Sequence, residues 1–124
     1  MNTTPKDGIA DAVKDILASY DEEIRNGTKE IQNDIASEAV AELKAVSPKR
    51  TGEYARNWRR TDQSERRRFK SIVHNEKRYR LTHLLEFGHK APDGSMVPAY
   101  PHIANVAERF GEKYTAEVER LIKG

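Results

Sequence analysis

Apolar positions recur along the first third of the chain at Ile9, Val13, Ile16, Leu17, Tyr20, Ile24, Ile31, Ile35, Ala39, Leu43 and Val46. Most steps are three or four residues, the period that lays side chains along one face of an α-helix. The stripe is narrow, close to one apolar residue per turn, which is the pattern of a seam facing a partner. Thr3 or Thr4 is a candidate cap and Pro5 suits the first turn. Pro48 and Gly52 end the pattern. The long step from Ile24 to Ile31 contains Asn26 and Gly27, and glycine in a helix interior costs about 1 kcal/mol relative to alanine. One long solvated amphipathic helix is the reading favoured, with a division at Gly27 as the alternative.

After the loop Ser47–Gly52 the period changes. Tyr54, Arg56, Trp58 and Arg60 alternate with Ala55, Asn57, Arg59 and Thr61, and a second short run covers Phe69 to His74. Period-two runs separated by the polar turn Asp62-Gln63-Ser64-Glu65 predict a β-hairpin. Tyr79 to Phe87 returns to helical spacing, with Leu81, Leu84 and Leu85 on one face and Gly88 as a C-cap. Ala91 to Ser95 reads as a flexible or partner-ordered loop, and Met96 to Tyr100 as a third strand that its prolines confine to an edge. From Pro101 to Ile122 the residues Ile103, Val106, Ala107, Phe110, Tyr114, Val118, Leu121 and Ile122 form a regular helical stripe.

These elements predict one α+β domain over residues 1–124. It has a long N-terminal helix (1–47), a small antiparallel sheet with a short inserted helix (48–100) and a C-terminal helix (101–124). Trp58, Phe69, Leu84, Leu85, Phe87, Ile103 and Phe110 are the expected core, with both long helices on one face of the sheet.

Composition narrows the function. Apolar residues are 36% and charged residues 34% of 124 positions, so the core is modest and partners are expected to help. There are no cysteines, which excludes disulfides, thiol catalysis and cysteine-based zinc sites. Met1 to Asp7 has no apolar run behind it and does not read as a signal peptide. No stretch approaches the roughly 20 apolar residues of a membrane helix, so no membrane partner is expected. A Gly-rich phosphate loop and a nucleophile elbow are both absent from the sequence. Ser47, Ser64, Ser71 and Ser95 have no base placed beside them by sequence, and Glu86 reads as a lone carboxylate without a partner acid. His83, Glu86, His89 and His102 match no zinc-ligand spacing. No cofactor, metal or catalytic residue is therefore assigned.

Charge is unevenly spread. Residues 1–48 hold 5 basic and 10 acidic side chains, residues 49–80 hold 12 and 4, and residues 81–124 hold 5 and 6. Such asymmetry points to a polyanion or to an acidic surface on a neighbouring subunit. Arg56, Arg59, Arg60, Arg66, Arg67, Arg68, Lys70 and Arg78 are the candidate interaction residues. They lie among Tyr54, Trp58, Phe69 and Tyr79, and basic residues interleaved with aromatics suit phosphate contact and base stacking. Docking to an acidic protein face and a merely solvated hairpin are the alternatives.

Three motifs in order carry a family resemblance: Ser47-Pro48-Lys49-Arg50-Thr51-Gly52-Glu53-Tyr54, His83-Leu84-Leu85-Glu86-Phe87-Gly88-His89, and Pro98-Ala99-Tyr100-Pro101-His102-Ile103. Over roughly residues 30–124 the chain resembles the tail-component family of long-tailed bacteriophages, also described as neck or tail-completion proteins. In that family an aromatic more often follows the second proline, where this chain has His102. The resemblance implies an α+β protomer of a homo-oligomeric ring in the virion neck. Its expected partners are the head connector and the tail tube or tail terminator proteins, with the DNA in the lumen as a further contact. It also implies a structural protein without catalytic residues, located in the virion and, during assembly, in the host cytoplasm. The acidic leading helix and the basic hairpin of the adjacent protomer are expected to supply complementary charge. The alternative is a nucleic-acid-binding protein, including a toxin-type ribonuclease that uses arginines and histidines.

Overall fold

A computed structural model describes residues 5–49, 51–65 and 68–124. The candidate caps Thr3 and Thr4 lie outside the described residues. The order is α1 (Pro5–Val46), α2 (Glu53–Arg56), β1 (Trp58–Asp62), β2 (Ser71–Asn75), α3 (Tyr79–Phe87), β3 (His89–Lys90), β4 (Met96–Val97) and α4 (Ile103–Lys123). The chain is thus α+β, as its periodicities predict.

Helix α1 runs unbroken through 42 residues, about 63 Å at 1.5 Å per residue. The single long helix expected is therefore present and the alternative of a division at Gly27 is not realised, because that glycine serves helix packing. A Cβ at Gly27 would sit 2.7 Å from Leu121 Cδ2 of α4. The missing side chain lets the antiparallel α4 approach, and the packing offsets the low helix propensity of glycine. Lys113–Glu38 and Arg109–Glu42, each at 2.7 Å, tie the same two helices along their exposed edge.

The hairpin is present but begins later than its sequence pattern suggests. Trp58 pairs with Asn75 and Asp62 with Ser71, in antiparallel register. Tyr54 to Arg56 is a helical turn, closed by Arg56 N–H donating to the Gly52 carbonyl at 3.0 Å. Alternation would have sent Tyr54 and Ala55 to opposite faces, whereas the turn buries both. Met96–Val97 does not extend this sheet. It pairs with His89–Lys90 as a separate ribbon, with His89 opposite Val97. The Ala91–Ser95 loop between them is a closed turn, with Ala91 N–H donating to the Ser95 carbonyl at 2.7 Å.

Ala39, Leu43, Tyr54, Trp58 and Val106 form the core, with Val40, Val46, Val73, Leu85, Ile103 and Phe110 packed against it. Of the expected core, Phe69, Leu84 and Phe87 lie outside. Phe69 sits half-buried beneath the Lys29 ammonium, and Phe87 is 70% exposed. The reason lies in the orientation of α3. It turns Leu85 and Glu86 inward, which leaves Leu81, Leu84 and Phe87 on its outer face.

The polar groups of the core are paired. Trp58 Nε1 donates to Ser47 Oγ at 2.8 Å, and Ser47 Oγ donates to the Leu43 carbonyl. Asn75 Nδ2 donates to the Tyr54 carbonyl at 2.8 Å, and Asn75 Oδ1 accepts from Arg78 N–H at 2.9 Å. These bonds fix the ends of the hairpin against α1 and α2.

Candidate interaction surface

The C-terminal half of α1, the turn α2 and the start of β1 enclose a groove of about 880 Å³. Helix α1 supplies Ser37, Val40 and Lys44, which share a face by their spacing of three and four. Lys49 and Lys77 come from flanking loops, and Arg56, Arg59 and Arg60 from α2 and β1. Val40, Ala55 and Trp58 provide the apolar wall. Six cations and one carboxylate, Glu53, line the space. Glu53 is itself engaged outward. The hydrogen bond from Arg78, at 2.8 Å, and then the Arg78 charge hold its carboxyl below the ordinary range.

The predicted interaction residues divide into three groups. Arg56, Arg59 and Arg60 converge on this groove. Arg59 donates to the Arg56 carbonyl at 2.5 Å and lies 3.4 Å from Glu76, so it is positioned as part of the wall. Arg60 donates to Asn33 Oδ1 at 3.1 Å, which ties the hairpin to α1. Arg68, Lys70 and Arg78 are exposed elsewhere: the first two near the hairpin tip, the third paired to Glu53. Arg66 and Arg67 lie outside the described residues.

Lys44 belongs to the groove although it lies outside the basic stretch, and Lys49 and Lys77, both within that stretch, join it. For Lys44 the legible signal is its helical spacing from Val40. Lys44, Arg56 and Lys77 form no salt bridge among the described residues.

The aromatics do not form the stacking platform that their spacing suggests. Tyr54 and Trp58 are core residues, and the Trp58 indole N–H is spent on Ser47. Tyr79 alone of the interleaved set is largely exposed, with the Arg80 guanidinium 5.7 Å from its ring. No histidine lines the groove.

Glu86 and His102 form a second polar centre. Glu86 Oε1 accepts from the backbone N–H of His102 at 2.9 Å and of Ile103 at 2.8 Å, and Oε2 accepts from Ala104 at 2.9 Å. The carboxylate read as lone in the sequence is thus the anion at the N-terminus of α4, where free N–H groups and the helix dipole favour negative charge. Burial pushes its carboxyl up, but the three N–H donors together outweigh that and hold it below the ordinary range. His102 is 2% exposed, with Nδ1 donating to the Tyr100 carbonyl at 2.7 Å and Nε2 accepting from the Tyr54 hydroxyl at 2.8 Å. Its ring packs edge-on to Tyr54 and Trp58. Among the described residues no three His, Asp or Glu side chains gather as a metal site. No helix among them is long and apolar enough to cross a membrane.

The sequence model of the family described as "Bacteriophage HK97-gp10, putative tail-component" matches residues 7–88. The chain belongs to that family. The match takes in the first motif and most of the second, and stops before the Pro98–Ile103 motif. No curated protein and no solved structure matches the chain. As a tail component the protein has a structural role in the virion of a bacteriophage. The matched span holds α1 from Asp7 onward, the whole cationic groove and Glu86, so every groove residue of this tail component lies within the family region.

Proposed function

We propose that the protein is a subunit of a ring in the phage neck, a tail-completion or head–tail joining protein that acts by oligomerisation and docking. Its family membership supports the virion role. The groove supports the docking role, since six cations share one opening with a single carboxylate, Glu53, whose nearest partner is Arg78 outside it. An excess of cations around an apolar wall suits the acidic rim of another protein, where they steer approach and set register. The head connector and the tail tube or terminator are the partners this reading names. Arg56, Arg59, Arg60, Lys44 and Lys77 are the contact residues within the groove. Arg68, Lys70 and Arg78 serve as outlying positive charge, and Arg66 and Arg67 are further contact candidates by sequence alone.

DNA passing through the lumen is the second reading, favoured by the same cations acting on phosphates. The burial of Tyr54 and Trp58 weighs against base stacking as part of it. The toxin-type ribonuclease reading needs histidine and arginine in one cleft, and the groove has no histidine.

The test combines light scattering and electron microscopy of the purified protein, alone and with head connectors, with duplex-DNA titration across a salt series. A closed ring, alone or on the connector, is expected. Lys44→Glu with Arg56→Glu and Lys77→Glu should abolish connector capture without altering the circular dichroism. Failure of the protein to assemble in either setting would overturn the ring. Salt-sensitive DNA binding lost in the triple variant would move the groove to the DNA reading.

A further inference from the structure

The first turns of α1 project beyond the rest of the molecule. Tyr20 Oη donates to the carbonyl of Ile122 near the end of α4, and the contact of Gly27 with Leu121 lies just inside it. Every residue from Gly8 to Glu23 is exposed. Yet this arm carries Ile9, Val13, Ile16, Leu17 and Tyr20 at helical spacing, with Ile16 at 67% and Leu17 at 61% exposure. An amphipathic face of three turns without cover is what a partner surface looks like. Asp21 and Glu23 border the stripe and Asp11, Asp15 and Glu22 lie on the opposite face, so the arm is acidic, with Lys14 as the one basic residue from Gly8 to Glu23.

The opposite end of the molecule carries the complementary surface. Tyr79, Leu81, Leu84 and Phe87 line the outer face of α3, and Met96 and Tyr100 are exposed on the segment that packs beside it. His83 lies against Phe87, ring centroids 5.0 Å apart. The rim is basic, with Lys77, Arg80 and Lys90, while Arg78 is paired to Glu53. The one carboxylate in that span, Glu86, is turned inward to α4. An apolar stripe on an acidic arm is thus complementary in charge to an apolar patch with a basic rim.

The arm cannot reach its own patch. Leu85 joins the core around Leu43, which stands 26 residues after Leu17 on one continuous helix, about 39 Å away. We infer that the arm of α1 docks on the outer face of α3 in a second copy of this chain. Two unlike surfaces at opposite ends make a head-to-tail contact, the type that closes into rings. This deepens the ring reading and rests on it, because it names the surface through which adjacent subunits meet.

Two variants test it, Ile16→Asp with Leu17→Asp in the arm and Phe87→Asp in the patch. All three positions are exposed, so circular dichroism and thermal unfolding should stay close to those of the parent. Each variant alone should be monomeric by light scattering under conditions where the parent assembles. The self-association constant should fall roughly thirtyfold or more, as at an interface hot spot. Mixed in equal amounts, the two should form a one-to-one complex, since each retains the surface the other lacks. If the parent assembles and either variant does so equally well, this pairing is overturned while the ring reading stands. Two monomeric variants that fail to pair would overturn the head-to-tail contact in favour of like surfaces meeting. A parent that never self-associates, free or on the connector, would overturn both.

Discussion

Glu86 Oε1 lies 2.9 Å from the backbone nitrogen of His102, and this contact joins the last turn of α3 to the first residues of α4. The connecting segment holds the ribbon of β3 and β4, so the bond closes a loop on which both helices depend. Gly88 makes the return tight. Its φ is 77°, and its backbone lies against the carbonyl of Val97.

Replacing Glu86 should loosen this joint. Glu86→Ala leaves three N–H groups without their acceptor. A lost cap costs about 0.5–2 kcal/mol, and unmet buried donors add about 1–3 kcal/mol. Glu86→Gln keeps an acceptor oxygen but points an amide at the remaining N–H, so it should fall between parent and alanine variant. Urea unfolding followed by circular dichroism measures both.

Stability should also fall on acidification. The Glu86 carboxyl is held below its ordinary value in the fold, so the unfolded chain takes up a proton first as pH drops. The stabilisation is full above the unfolded value, about 4.3. It disappears as pH falls through the lower folded value. The melting temperature of the parent should therefore decline below about pH 4.3 more steeply than that of Glu86→Gln.

Tyr54→Phe should destabilise without changing the packing of the ring. The phenol hydroxyl is the donor to His102 Nε2, and its removal leaves a buried acceptor unpaired, at about 1–3 kcal/mol. Burial first, and the nearby Glu86 charge second, push the Tyr54 hydroxyl well above the usual tyrosine range. A raised folded value means that its contribution is complete below the unfolded value, about 10, and is lost as pH rises beyond it. Thermal melts above that pH should show a loss in the parent that Tyr54→Phe lacks.

Gly88→Ala should be more damaging than a methyl group suggests. A Cβ there would lie 2.7 Å from the Val97 carbonyl oxygen and 3.0 Å from the Ala99 nitrogen, both backbone atoms, and the positive φ adds strain. A loss of roughly 1–3 kcal/mol is expected from the backbone conformation, with displacement of the β3–β4 ribbon adding to it. Chemical denaturation gives the loss, and amide hydrogen exchange of His89, Lys90 and Val97 reports the ribbon.

The two long helices and the hairpin were legible because their signals are local. A repeat of three or four apolar steps names the face of α1 and α4 wherever they pack, and the pairing of β1 with β2 follows from two short runs joined by a polar turn. The same signals misled where a residue obeys a neighbour instead of a period. Tyr54 alternates like a strand residue but is drawn into a helical turn by the core around Leu43 and Val106. Leu84 and Phe87 look like core on a helical wheel, yet α3 is held by Leu85 and by the inward Glu86.

Sequence alone determined the long helices, the α+β class, the basic middle of the chain and the family resemblance. Those depend on residue spacing and type within a few turns. Tertiary structure alone decided that Glu86 caps α4, that Trp58 and Tyr54 are core and not stacking surface, and that Lys44, Arg56 and Lys77 share one groove. Each of these joins side chains far apart in the chain, and only the packing of α1 against α2, the hairpin, α3 and α4 brings them within reach of one another.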